Sequence, residues 1–450
     1  MSLSFGTDGV RGVANAELTP ELALNLGRAA ARVLGADRFV IGRDTRRSGR
    51  MIESAIAAGL ASEGCRVELL GIVPTPGVAC VCAVENLAGV VISASHNQFS
   101  DNGVKFFAPG GRKLSDELEA RFEAELAKIQ TNSLASVDSV PIGETVGEIV
   151  DRSDVATLYG EAVAHTLEGR RLDDFFVVVD CANGAASELG PSILRSLGAR
   201  VEVLAAEPDG LNINQKCGST NPENLQRAVV SLHADLGLAL DGDADRVIAV
   251  DHLGNLIDGD QLIAICALDM AGRGKLRDNT VVITVMTNLG FRLSMAEKGL
   301  KVLETKVGDR YVLEALEAGG FSLGGEQSGH VIFPDLATTG DGTLCGVQVL
   351  DVMHRSGKSL ADLADEAMTR FPQVLRNVSV KTVPTDLSSE LSDEIAAIEA
   401  GLNKDGMRGR VLVRPSGTEP LVRVMAEAST TDAAESAVEQ LVSSVKRSCQ

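Results

Sequence analysis

Three stretches of the 450-residue chain share one alternation of apolar and polar positions. In RFVIGRDTRRSGRMIESAIAAGLASEGCRVELLG an apolar run gives way to a polar loop, then to apolar residues at helical spacing, a glycine and a second apolar run. FFVVVDCANGAASELGPSILRSLGARVEVLA repeats that order, and TVVITVMTNLGFRLSMAEKGLKVLETK repeats it again. Short apolar runs bounded by turn residues predict buried strands, and the amphipathic stretch between them predicts a helix. Parallel neighbours in a sheet need such crossovers, so the pattern predicts three related α/β domains with mixed, mainly parallel sheets.

The tail reads differently. After FPQV, where Pro372 interrupts any helix, come an apolar run (RNVSV), a helical stretch (SSELSDEIAAIEAGL), a second run (GRVLVR), the turn PSGTE, a third run (PLVRVMAEA) and a last helix from Thr431. This order predicts a smaller C-terminal α+β domain. The expected boundaries are 1–150, 151–255, 256–371 and 372–450.

Composition narrows the function. The chain is too long for a single core. A net charge of −20 argues against nucleic acid, whose binding needs phosphates to be neutralised by Lys and Arg, so any phosphate-bearing ligand has to be small and met locally. No run has the length to cross a bilayer, and MSLSFGTDGVRG lacks the basic-plus-apolar profile of a leader. The expectation is a cytoplasmic protein without a membrane partner. Of the eight cysteines only Cys80 and Cys82 are close together, which supports neither a disulfide framework nor a CxxC motif. Buried free thiols are expected.

Four motifs carry candidate chemistry. GVVISAS runs as a strand into a loop, placing Ser95 and His96 where open α/β sheets hold ligands; a plain polar turn capped by Asn97 is the competing account. In LALDGDADR, Asp241, Asp243 and Asp245 alternate after an apolar strand, so three like charges share one face of an extended segment. A divalent cation relieves that repulsion, and oxygen ligands select a hard ion such as Mg2+. An EF-hand is excluded, because Arg246 stands where that loop needs glycine and His252 where it needs a bidentate glutamate. RPSGTEP offers Arg414 and, beyond the turn, Arg423 as forked donors, with the hydroxyls of Ser416 and Thr418 and a backbone that Gly417 lets converge on an anion. GGEQSGH combines Glu326, Ser328 and His330, a set able to hold sugar hydroxyls. Each of the last two is also compatible with an ordinary turn.

FGTDGVRG, SASHN with DNGVKFF downstream, DGDADR, GEQSGH and RPSGTEP follow one another here in the order and spacing of the α-D-phosphohexomutases, which the chain resembles from residue 5 to residue 423. The wording of the first and fourth motifs points, within that family, to glucosamine phosphates. The resemblance implies a phosphoserine at Ser95, Mg2+ held by Asp241, Asp243, Asp245 and the phosphoserine itself, and Lys105 and Arg246 as basic residues near the reacting hydroxyl. Arg11 and His96 match residues lining the same pocket. Glu326 and Ser328 match contacts to sugar hydroxyls, His330 lies beside the reacting sugar, and Arg414, Ser416, Gly417, Thr418 and Arg423 match the site for the non-reacting phosphate. One departure is visible: Gln98 stands where most relatives have proline, so the serine loop loses a fixed φ.

The implied reaction interconverts glucosamine 6-phosphate and glucosamine 1-phosphate through a 1,6-bisphosphate intermediate, for amino-sugar nucleotide and cell-wall precursor synthesis. Two unit charges at about 4 Å and an effective dielectric near 20 interact with roughly 4 kcal/mol, so a phosphoserine approaching a sugar phosphate needs a metal and several cations to offset the repulsion. Lys105 is the expected base, and the domain after Pro372 is expected to close by hinge motion. Three other readings stay open: a mutase for glucose or mannose phosphates, a haloacid-dehalogenase-like phosphotransferase with Asp241 as nucleophile, and a sugar-phosphate sensor without turnover. The partner is a small sugar phosphate, and a homodimer is left open.

Overall fold

The structure is a computed structural model that describes residues 9–131, 140–380, 387–415 and 421–449. It divides into two compact units, one of residues 1–285 and 301–365, the other of 286–300 and 366–450.

The larger unit contains three sheets built on one plan. In the first, Arg38–Arg43 lies parallel to both Arg66–Ile72 and Ala88–Ile92, and Ala88–Ile92 then pairs antiparallel with Asp101–Ala108. In the second, Phe176–Asp180 lies parallel to Arg200–Leu204 and Leu236–Leu240, and Leu236–Leu240 pairs antiparallel with Val247–Asp251. In the third, Thr280–Thr284 lies parallel to Lys301–Thr305 and Gly324–Gly325, which pairs antiparallel with Val331–Ile332. The three predicted α/β domains are therefore present, and their relation extends to an element not anticipated. Each sheet closes with a turn from its third parallel strand into an antiparallel one, and that turn carries a motif: Ser95, the aspartates, or GEQSGH.

Alternation along the strands explains why the first sheet is covered on both faces. Phe39, Ile41, Val90 and Ile92 pack with the helices Pro20–Leu34 and Gly49–Ser62. Val40 and Val91 point the other way and pack with Val78, Val81 and Cys82 of the helix Thr75–Glu85. Successive side chains of a strand face opposite sides, so a strand buried on both reads as a continuous apolar run. All eight cysteines are free, and all but the half-buried Cys80 are buried, as expected.

The smaller unit holds a three-stranded antiparallel sheet in the order Gln373–Ser379, Leu421–Ala428, Gly409–Pro415. Val411, Val413, Val422 and Val424 pack with Ala434, Val438 and Leu441 of the helix Thr431–Ser448. This is the α+β arrangement that the tail predicts.

Candidate active site

Ser95 follows a strand that is buried along its whole length. Its backbone takes φ +50°, a left-handed conformation that costs a non-glycine residue energy and persists only where surroundings impose it. The surroundings are a buried ion pair. Arg46 is 1% exposed and donates through Nε to Asp44 Oδ2 at 2.8 Å. Its other nitrogens donate to the carbonyl oxygens of Ser95 and Asn97, both at 2.9 Å, of Asp101 at 3.1 Å, and of Gln98. Asp44 accepts from the Ser93 hydroxyl at 2.7 Å, and Ser93 Oγ in turn accepts from the Ser95 N–H at 2.9 Å. Asn214 adds donors to the Ser95 and Asn97 carbonyls. Burial pushes the Asp44 carboxyl above its ordinary value, while the Arg46 charge pulls it back. The loop is thus clamped by six hydrogen bonds to four of its carbonyls, and a fixed φ at residue 98 is not needed to hold it.

The serine hydroxyl donates to Asp241 Oδ2 at 2.5 Å. Asp241, Asp243 and Asp245 are all buried, and one oxygen from each falls within 4.8 Å of the others. The loop approaches the serine closely: a Cβ on Gly242 would come within 2.4 Å of the Ser95 carbonyl oxygen. Asp243 Oδ2 accepts from Lys105 Nζ at 2.8 Å and from the Thr75 hydroxyl at 2.7 Å, and Lys105 reaches Asp245 Oδ2 at 3.2 Å. The Oδ1 atoms of Asp243 and Asp245 are buried and accept no hydrogen bond from a described residue. Burial and the charges of its two neighbours push Asp241 well above the ordinary carboxylate range. Burial acts on Asp245 too, yet Lys105, His330 and Arg246 hold it well below. Converging buried carboxylates with open oxygens suit a hard divalent cation, so the loop can hold a metal ion.

Arg246 closes the loop. Its N–H donates to Asp241 Oδ1 at 3.1 Å, and its guanidinium stands 3.3 Å from His96 Nδ1, which is itself 3.3 Å from the serine hydroxyl. Burial, followed by the charges of Arg246 and Arg11, brings His96 down to about 4. The imidazole is therefore neutral near pH 7. Arg11 belongs to the strand Val10–Val13, which pairs with Asp101–Ala108 beside Gly103.

GEQSGH makes the tight turn between its two short strands. Gly329 has φ +88°, and a Cβ there would meet the Val247 carbonyl at 2.0 Å; only glycine permits this contact with the residue after Arg246. Glu326 is held from both sides, by the Gly308 N–H at 3.0 Å and the Ser328 hydroxyl at 3.4 Å. His330, expected beside the sugar, is only 2% exposed and sits beneath the aspartate loop. Its Nδ1 is 3.8 Å from Asp245 and its Nε2 3.6 Å from Asp309, which also pairs with Lys113. Burial works against a charged ring, but Asp245 and Asp309 prevail and raise His330 above its ordinary value.

In the smaller unit Arg414 and Arg423 are direct partners across neighbouring strands. Like charges placed opposite on one sheet face are destabilising unless an anion joins them. Ser416, Gly417 and Thr418 lie outside the described residues. The sequence reading brought together Ser95, His96, Lys105, Arg246 and the aspartates. It missed Thr75, Arg46, Asp44, Asn214, Asp309 and Lys113, none of which belongs to one of the motifs.

Family models agree with this geometry. Those described as phosphoglucomutase/phosphomannomutase alpha/beta/alpha domains I, II and III match residues 2–133, 158–254 and 258–371, and that of the C-terminal domain matches 375–444. The chain is 53% identical to a phosphoglucosamine mutase of Nocardioides sp. and 51% identical to one of Rhodococcus jostii, with 99% of each chain covered in both cases. A solved phosphoglucomutase/phosphomannomutase family protein from Burkholderia thailandensis superposes with a TM-score of 0.81 at 25% identity, covering 99% of this chain and 98% of that one. The chain belongs to the phosphoglucomutase/phosphomannomutase family of phosphohexomutases.

Proposed function

We propose that this isomerase interconverts glucosamine 6-phosphate and glucosamine 1-phosphate, with Ser95 carrying the phosphoryl group. The observation that carries the reading is the Ser95 hydroxyl, held at a left-handed φ and 2.5 Å from the first of three buried aspartates, in a chain half identical to phosphoglucosamine mutases. In the phosphorylated protein the Ser95 O–P bond breaks as a P–O bond forms to the anomeric oxygen of the substrate, whose proton leaves to a base. The resulting 1,6-bisphosphate reorients, the O6–P bond breaks as a P–O bond re-forms to Ser95 Oγ, the proton of the serine hydroxyl passes to O6, and glucosamine 1-phosphate leaves.

Phosphoryl transfer asks a protein chiefly for alignment and charge. Mg2+, which Asp241, Asp243, Asp245 and the phosphoserine would hold, supplies positive charge beside the transferring group. Arg46 and Asn214 fix the serine backbone, and Arg246 and Arg11 bring further positive charge to the pocket. Lys105 enters as a fixed cation rather than as the base expected from sequence, because its ammonium donates to two carboxylates and has no lone pair to offer. Neutral His96, its Nδ1 3.3 Å from the serine oxygen, has a lone pair and is the proton acceptor of this reading. Glu326 and Ser328 take the sugar hydroxyls, while His330 keeps Asp245 ionised from below. Arg414 and Arg423 bind the non-reacting phosphate.

Relative kcat/KM on the 1-phosphates of glucosamine, glucose and mannose tests the substrate. A preference for glucosamine is expected, and an equal or higher value for either other sugar overturns it.

A further inference from the structure

A cavity of about 270 Å3 in the larger unit shares no lining residue with the candidate active site. Its walls are mostly apolar, with Pro76 and Ala79 of the helix Thr75–Glu85 facing Val163, Leu336 and Leu344. Thr338 and Thr339 also line it, and the buried Oγ1 of each has no hydrogen-bond partner among the described residues. Thr339 is 2% exposed. A hydroxyl buried without a partner costs about 1–3 kcal/mol, and largely apolar walls offer a water few of the two to four contacts it needs. An apolar cavity of about 150 Å3 holds benzene, so there is room here for a second ring.

The walls of this chamber are the supports of the aspartate loop. Pro76 follows Thr75, whose hydroxyl and N–H both donate to Asp243, at 2.7 and 2.9 Å. On the other side the strap Thr338–Asp341 faces the cavity, while Gly340 lies so close to His330 that a Cβ would come within 2.4 Å of the imidazole. Asp341 accepts from the Tyr159 hydroxyl and the Leu344 N–H, both at 2.8 Å, and the Gly342 N–H donates to the Ala244 carbonyl at 3.0 Å. A molecule that spreads these walls moves groups bonded to Asp243 and Ala244 and packed on His330.

We infer that the cavity binds a small neutral molecule of one or two fused rings bearing a single N–H or O–H, and that its occupancy alters the affinity of the aspartate loop for a divalent cation. The second part rests on the metal role assigned to that loop; the first does not. Indole is a suitable probe, with an N–H that Thr339 Oγ1 can accept. Cys80 lines the cavity and is the half-buried thiol among buried ones. Burial pushes it up to about 11, so its alkylation by iodoacetamide is followed at alkaline pH on the full chain, with the site mapped by peptide mass.

Indole is expected to slow Cys80 alkylation saturably, by about fivefold or more. The near-isosteric Thr339→Val should raise the half-protecting concentration about tenfold, and Ala162→Phe, at another lining position, should abolish protection. Calorimetric Mg2+ titration with indole present should give a Kd changed at least about fivefold, since coupling between sites commonly reaches that size. Absence of protection at millimolar indole, or protection that survives Ala162→Phe, overturns the site. Protection with unchanged Mg2+ affinity overturns the coupling. Neither measurement uses turnover, so failure here is distinguishable from failure of the mutase reading.

Discussion

Thr75, fully buried, donates its hydroxyl to Asp243 Oδ2 at 2.7 Å and so leaves Asp243 Oδ1 as the open oxygen of that carboxylate. Groups that orient a metal ligand in this way typically contribute 10- to 100-fold to metal affinity. Thr75→Val keeps the shape and removes the donor. Calorimetric titration with Mg2+ should show a Kd raised about tenfold or more, and Thr75→Ser should restore most of it.

Arg46 and Asp44 form a fully buried pair that spends its remaining donors on the serine loop. Removing one partner of a buried pair strands the other charge and typically costs about 3–5 kcal/mol. Arg46→Leu should lower unfolding free energy in urea by that amount, and Arg46→Lys should not recover it, because an ammonium cannot reproduce the planar fork.

The arrangement of three sheets was readable because each repeat needs its own apolar strands and crossover helix, and both leave a periodic trace. The aspartate loop was readable because its three carboxylates sit together in sequence. Arg46 was not: within DTRRSG it looks like one of several solvated cations before a helix, and only folding carries it to the carbonyls of residues 95–101. Thr75 was hidden for the same reason, 168 positions from its partner. The partners of His330 were hidden too: the glycine at 340 lets the strap pack on its ring, which lies against Asp245 and Asp309. Local patterning records what a segment does by itself, and these residues act on partners distant in sequence.

Asp341 gives a pH dependence of known sign. Burial raises it from 3.8 to about 6, so between those values the folded state binds more protons than the unfolded chain and stability falls as pH rises. The contribution is present below about pH 4 and lost through pH 6, and amounts to about 3 kcal/mol at one pKa unit per 1.36 kcal/mol. Asp341→Asn keeps the helix cap without the titration. Unfolding measured from pH 4 to 7 should show wild type losing stability relative to this variant as pH rises.

Arg423 Nε is buried without a hydrogen-bond partner among the described residues, opposite Arg414. Hydrogen bonds to charged groups contribute about 1.5–3 kcal/mol. Arg423→Gln should raise KM for the sugar phosphate about tenfold or more with a smaller change in kcat, which steady-state kinetics will show.

Intact-mass analysis of the freshly purified protein, with the modified residue mapped before and after addition of glucosamine phosphate, tests the central claim most directly. The account predicts an acid-stable phosphoryl group on Ser95 that passes to the sugar, and no label or isomerisation in Ser95→Ala. An acid-labile label that survives Ser95→Ala and vanishes in Asp241→Asn, or wild-type turnover by Ser95→Ala, would contradict it.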